Sequence, residues 1–234
     1  MTLSENIAFV QERVSAAARR AGRTPREVTL MGVTKTQSPE RIREAYAAGL
    51  RVFGENRVQE FAGKAGALAD LAGAEWHMIG HLQTNKAATA AELFHAVDSV
   101  DSVKLAEKLD ASAREMGKKL PVLIEINVGG EAAKSGVAAD SQELANLLAS
   151  AARFECLQFC GLMTVPPFAE DPQEARPFFR RLRELSEKIA ARRLPGIQTH
   201  VLSMGMSHDF EVAVEEGSTC VRVGTAIFGE RVKG

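Results

Sequence analysis

Cysteine, tyrosine and tryptophan are scarce: the 234 residues hold three, one and one of them. Cys156, Cys160 and Cys220 are an odd number in no paired pattern and without a histidine pair at ligand spacing. That argues against a disulfide framework or a zinc site and leaves reduced, buried thiols in strands. No apolar run approaches the ~20 residues that a bilayer span needs, and Met1 to Asn6 carries no basic stretch leading into an apolar core. Neither membrane insertion nor export is expected, and the chain reads as cytoplasmic. A net charge of -1 gives no general attraction to nucleic acid or anionic membrane. No linker-like stretch and no short repeat interrupts the sequence, so residues 1–234 are expected to form one domain.

What is present is a recurring alternation of short apolar runs and amphipathic stretches. An N-terminal helix starts near Ser4 and buries Ile7, Val10, Val14 and Ala18, with Gly22 as its stop. Strands are then expected at Val28–Val33, Arg51–Asn56, Glu75–Gly80, Phe94–Ser99, Pro121–Asn127, Cys156–Met163, Gln198–Ser203 and Thr219–Gly224. A helical pattern follows each of the first seven. Eight such units at the spacing of parallel crossovers predict a single (β/α)8 TIM barrel with an extra N-terminal helix. The alternative is an open, doubly wound sheet.

In a barrel of this kind the functional face lies at the C-terminal strand ends. The residues expected there include Lys35, Glu55, Asn56, His77, Gly80, Asp98, Asn127, Thr164, Ser203, Met204, Arg222, Gly224 and Thr225. Lys35, at the end of a buried strand, is a candidate for condensation with an aldehyde, because low dielectric lowers a lysine pKa. The plainer reading is a lysine whose ammonium snorkels into solvent. Ser203-Met-Gly-Met-Ser207 and Gly224-Thr225, after the last two strands, are candidate phosphate loops, or simply tight glycine turns. Taken together they suit one ligand that is both an aldehyde and a phosphate ester, pyridoxal 5'-phosphate. Arg222 would then donate to the pyridine nitrogen and weaken the ring as an electron sink.

Seven blocks carry a family resemblance. They are Val33-Thr-Lys35-Thr, Phe53-Gly-Glu-Asn56-Arg-Val-Gln-Glu60, Trp76-His-Met-Ile-Gly80-His-Leu-Gln-Thr-Asn-Lys86, Lys134-Ser-Gly136, Gly161-Leu-Met163, Leu202-Ser-Met-Gly-Met-Ser207 and Val221-Arg-Val-Gly-Thr-Ala-Ile-Phe-Gly229. In this order they resemble the pyridoxal phosphate homeostasis proteins over nearly the whole chain. The resemblance implies a barrel similar to the N-terminal domain of alanine racemases, with the cofactor held as an internal aldimine on Lys35. It also implies phosphate binding by Ser203 and the amides around Gly224 and Thr225, Arg222 at the ring nitrogen, and Asn56 and Met204 as pocket neighbours. Met78 and Thr34 stand where other members often have phenylalanine and serine.

The same resemblance implies a cofactor carrier in vitamin B6 homeostasis, with pyridoxal phosphate-dependent apoenzymes as recipients. A monomer is the default expectation without the second domain that supplies the racemase dimer contacts, and Lys86 and Lys134 are candidates for release, or else phosphate ligands or solvated surface charges. A racemase is the alternative, but it needs a second base. Tyr46 is expected on an outer helix as a packing residue, and the chain ends soon after the eighth unit, leaving no room for a second domain. A sugar-phosphate aldolase would use the same lysine without a chromophore. Nucleic-acid binding rests only on Arg180, Arg181, Arg183, Arg192 and Arg193, better read as a solvated helix side and its basic end. Gly129 to Ser135 lacks the glycine before its lysine that a nucleotide-binding loop needs, and no metal site is expected.

Overall fold

The computed structural model describes residues 2–131 and 135–230. Lys134 therefore lies outside the described residues.

The cap of helix α1 (Leu3–Arg20) lies two residues before the expected Ser4. Thr2 accepts the Glu5 amide while the Glu5 carboxylate accepts that of Thr2, a reciprocal capping box that leaves Ser4 inside the first turn. Its buried stripe, Ile7, Val10, Val14 and Ala18 among others, follows the helical spacing of the sequence.

The strands are β1 (Thr29–Val33), β2 (Val52–Glu55), β3 (Glu75–Met78), β4 (Ala96–Val100), β5 (Leu120–Asn127), β6 (Val137–Ala138), β7 (Leu157–Met163), β8 (Ile197–Met206) and β9 (Cys220–Val223). Between and after them run α2 (Pro39–Ala47), α3 (Val58–Ala65), α4 (Ala87–Leu93), α5 (Val103–Glu115), α6 (Gln142–Ser150), α7 (Arg176–Ala191), α8 (Phe210–Glu215) and α9 (Thr225–Phe228). Every pairing is parallel. The ring β1-β2-β3-β4-β5-β7-β8-β9 closes through the β9 to β1 pairing, and two-residue β6 attaches beside β5. The eight expected strands are those of a closed barrel, and β6 was too short to leave a periodic signal.

Alternation along the strands separates the two faces. Phe53 of β2 and Trp76 of β3 face outward and stack at 4.8 Å, and Trp76 continues through Phe61 of α3 to Phe94. This run of rings fastens α3 and the end of α4 to the barrel wall, each buried aromatic side chain contributing roughly 1.5–3 kcal/mol. Their neighbours one residue along, Gly54 and His77, face inward.

Two expectations about side chains need correction. Cys220 is buried, but Cys156 and Cys160 are only half-buried, and Cys156 precedes β7 rather than lying within it. The α7 arginines are not simply solvated either. Arg176, Arg180 and Arg183 converge on buried Glu216, at 2.9, 3.2 and 3.6 Å, because α8 ends beside α7 and a buried carboxylate needs cations around it.

Candidate functional site

The barrel interior is divided into two cavities by the alternation of inward-facing residues. Toward the C-terminal strand ends lies a cavity of about 330 Å³, lined by Lys35, Asn56, Ile79, Ser207, Arg222 and Thr225 among others. At the N-terminal mouth lies a second, of about 690 Å³. On β3 and the residue after it, Glu75 and His77 line the lower cavity and Ile79 the upper one. On β9, Cys220 lines the lower and Arg222 the upper. His77 and Asp98 were expected at the C-terminal face, but both line the lower cavity. With only four residues in β3, one step of two along the strand moves a side chain from one end of the barrel to the other.

Lys35 sits half-buried in the turn that follows β1. Thr36, next in the chain, is held at φ 64°, an unfavourable conformation for a β-branched residue. Its amide donates to Glu60 at 2.5 Å, and buried Lys64 of α3 donates to the carbonyls of Thr34 and Gln37 on either side of the turn, at 3.0 and 3.5 Å. Lys64 also pairs with Glu60 at 3.2 Å and with fully buried Glu55 at 2.8 Å. Burial pushes the Glu55 carboxyl up, opposed by hydrogen bonds from Lys64 and Thr34. A second lysine thus clamps the backbone that presents the first. Sequence reading missed this clamp, although the Glu60–Lys64 spacing of four on one helix was a usable signal.

Asn56 is positioned by backbone contact with the loop after β3. A Cβ on Gly80 would lie 2.3 Å from the Asn56 carbonyl oxygen, so only glycine lets the two segments meet. Ser99 donates to the Gly80 carbonyl at 2.7 Å and fixes the loop from the β4 side.

Arg222 forms part of the cavity wall while being only 3% exposed. Its guanidinium donates to Ser203 Oγ and to the Thr164 carbonyl, both at 2.7 Å. Among the described residues no carboxylate lies within ion-pair distance of it. Burial pushes its pKa below the usual arginine range, with the charges of Cys220, Asp98, Glu125 and Asp209 acting the other way. A buried cation without a close anion is costly unless acceptors satisfy its donors. The fixed guanidinium is therefore a ready donor toward the cavity.

Of the two serines in the loop after the seventh expected strand, Ser207 and not Ser203 lines the cavity. Its hydroxyl accepts from the amides of Gly224 and Ala226, both at 3.2 Å, and it lines the cavity with Gly224 and Thr225. Ser203 and Met204 are both fully buried and are not among the lining residues. The reason is that β8 runs on to Met206 instead of ending at Ser203. Gly205, at φ 96°, and a shifted register against β9 between Ser203 and Met206 carry the chain to Met206 and Ser207 at the cavity. Ser203 then serves as the acceptor that aims Arg222. Met204 packs in the core.

Of the other polar side chains near the strand ends, one more reaches the cavity. His208 lines the cavity, with Nε2 2.9 Å from the Glu170 carbonyl and its ring 5.6 Å from that of Phe168, whose side chain is 81% exposed at the rim. His81 pairs with Asp101 at 3.3 Å, and Lys86 is not among the lining residues. Tyr46 is on α2, as expected, donating to the Ala72 carbonyl under the Arg51 guanidinium.

Comparison with known proteins places the chain in a family. Residues 6–232 match the family model of the alanine racemase N-terminal domain. The pyridoxal phosphate homeostasis protein of Aquifex aeolicus is 46% identical over 231 residues, 99% of both chains. The structure of PipY of Synechococcus elongatus with PLP bound superposes with a TM-score of 0.83 at 36% identity, covering 97% of this chain and 100% of that one. Alanine racemase from Streptomyces coelicolor shares the fold, at a TM-score of 0.72 and 22% identity, over 96% of this chain and 58% of its own. An alanine racemase-like barrel, with relatives of the same length at this level of identity, makes the chain a member of the pyridoxal phosphate homeostasis protein family.

Proposed function

We propose that the C-terminal cavity binds pyridoxal 5'-phosphate and that the protein serves as a carrier of this cofactor in vitamin B6 homeostasis. The observation that carries the reading is the convergence of Lys35, buried Arg222 and the Gly224 and Ala226 amides on one cavity. At about 330 Å³ the cavity is within the roughly 300–1,000 Å³ usual for small-ligand sites. PipY, 36% identical over nearly the whole chain, has been solved with PLP bound, which supports the choice of ligand.

When bound, the cofactor supplies an aldehyde, open to attack by a primary amine, and a phosphate dianion. Each group has a counterpart in the chain. Lys35 offers the amine. The Gly224 and Ala226 amides, occupied here by the Ser207 hydroxyl, offer N–H donors to the phosphate, and Ser207 can turn its own proton toward it. Arg222 would donate to the ring nitrogen, where its fixed charge would oppose protonation. That weakens the ring's withdrawal of electrons, which suits holding the cofactor better than turning a substrate over.

The lining side chains favour the carrier over the racemase for a second reason. Among the described residues of the cavity wall there is no tyrosine, carboxylate or thiol. His208 is the one candidate for a second base beside Lys35, and it is engaged with Glu170 and Phe168. We read the protein as a cytoplasmic monomer that delivers the cofactor to apoenzymes.

The test loads the purified protein with pyridoxal 5'-phosphate, removes the excess and follows D- and L-amino acids by chiral chromatography, alongside transfer to an apoenzyme whose activity reports arrival. Transfer without racemisation supports the carrier. Turnover that survives His208→Ala and disappears with Lys35→Ala would instead assign one-base racemase chemistry.

A further inference from the structure

The lower cavity has a charge pattern of its own. Its floor holds the His77–Asp98 pair, with Nδ1 3.0 Å from Oδ1 and the Asp98 side chain 2% exposed. Arg23 is equally committed, bound to Glu27 at 3.1 Å and to the carbonyls of Val214 and Ser218 at 2.9 and 2.8 Å. These two pairs cancel. What remains is the Glu75 carboxylate at the rim, 60% exposed, whose nearest cation is His77 Nε2 at 3.9 Å, beyond hydrogen-bond length. Below it the walls are mostly apolar, with Val52, Ala96, Val122, Leu123 and Val201.

Apolar walls under a carboxylate in excess, sharing with Asp98 the single charge of His77, define a ligand class. We infer that the N-terminal mouth of the barrel is a second small-molecule site, separate from the cofactor cavity, which takes a compact organic cation with its apolar body among the strand starts and its ammonium on Glu75. An organic anion would meet Glu75, Asp98 and Glu27, with Arg23 and His77 already paired to carboxylates and His200 the one other basic side chain among the lining residues. At about 690 Å³ the cavity has roughly twice the room of the upper one and falls within the usual range for ligand sites. A charge pair in the floor is no plain stability device, because apolar residues of similar volume are often as stable or more so.

N,N-dimethylbenzylamine is the probe, since a tertiary amine cannot form an imine with a bound aldehyde. Benzoate, of similar size and opposite charge, is its control. Both are titrated into the full-length protein, before and after loading with pyridoxal 5'-phosphate, while backbone and His77 ring resonances are followed by NMR. We expect saturable shifts at Leu123, Val201 and His77 with the amine, the same in both forms of the protein, and binding at least about tenfold weaker for benzoate. Glu75→Gln should weaken the amine by about tenfold, the loss of one charge-assisted contact. Val201→Trp should block the mouth and abolish the shifts. Absence of saturable shifts, equal binding of benzoate, or unchanged affinity in Glu75→Gln would each overturn the inference. So would shifts confined to Lys35, Ser207 and Thr225, which would put the amine in the cofactor cavity.

Discussion

Replacing Asp98 by asparagine should expose the charge interaction that holds His77 inside the barrel. Burial alone would lower the His77 pKa, but the Asp98 charge and hydrogen bond, helped by Glu75, outweigh it and carry the value from 6.5 to about 10. Because the folded state binds this proton more tightly than the unfolded chain, the stabilisation is fully present below about pH 6.5 and is lost as pH rises through about 10. At about 1.4 kcal/mol for each pKa unit, the whole shift corresponds to at most roughly 5 kcal/mol. One fifth of the His77 side chain meets solvent, so about 2–3 kcal/mol is the expected net loss near pH 7 in Asp98→Asn. Urea denaturation of wild type and variant from about pH 6 to about pH 10 measures the difference. The gap should be widest at the acidic end and close toward pH 10, cancelling other groups that titrate in both proteins. A gap that stays constant across that range, or a wild-type His77 ring that titrates near its ordinary value, would refute the reasoning.

Three other predictions follow from the upper half of the barrel. Lys64→Met leaves buried Glu55 without its cation and should cost about 3–5 kcal/mol in denaturant unfolding, with Glu55→Gln added to the same variant recovering part of the loss. Gly80→Ala drives a methyl into the Asn56 backbone and should destabilise by about 3 kcal/mol or more, while the conservative Asn56→Ala leaves stability within about 1 kcal/mol and reports the cofactor contact by equilibrium dialysis. Ser207→Ala removes the acceptor shared by Gly224 and Ala226; dialysis should show pyridoxal 5'-phosphate held about tenfold more weakly, with a smaller effect on pyridoxal, which lacks the phosphate.

Much of this architecture could be read from residues alone because each strand carries its own local signal. Pro121 to Ile126 is an apolar run interrupted by Glu125 alone, and the seven crossovers that follow strands all have helical periodicity. Ends were less legible where one glycine or cap decides them. Gly205 lets β8 run three residues past Ser203, so that Ser207 and not Ser203 lines the cavity. The Lys64 clamp depends on α3 folding back over the β1 turn, a long-range contact; the Glu60–Lys64 spacing marks the pair on α3 but not the turn that it holds. His77 and Asp98 fall at the opposite end of the barrel from the one expected because a strand of four or five residues leaves no margin between its start and its finish. The lower cavity was invisible for the same reason: its lining is one residue or two from each of several strand starts.

The central claim is that Lys35 holds the cofactor covalently, and peptide mapping after borohydride reduction tests it most directly. Protein incubated with pyridoxal 5'-phosphate, reduced and digested, should yield one peptide heavier by the reduced cofactor, with the added mass on Lys35, and Lys35→Ala should yield none. Equal labelling of exposed lysines, or undiminished labelling at another residue in Lys35→Ala, would contradict the account.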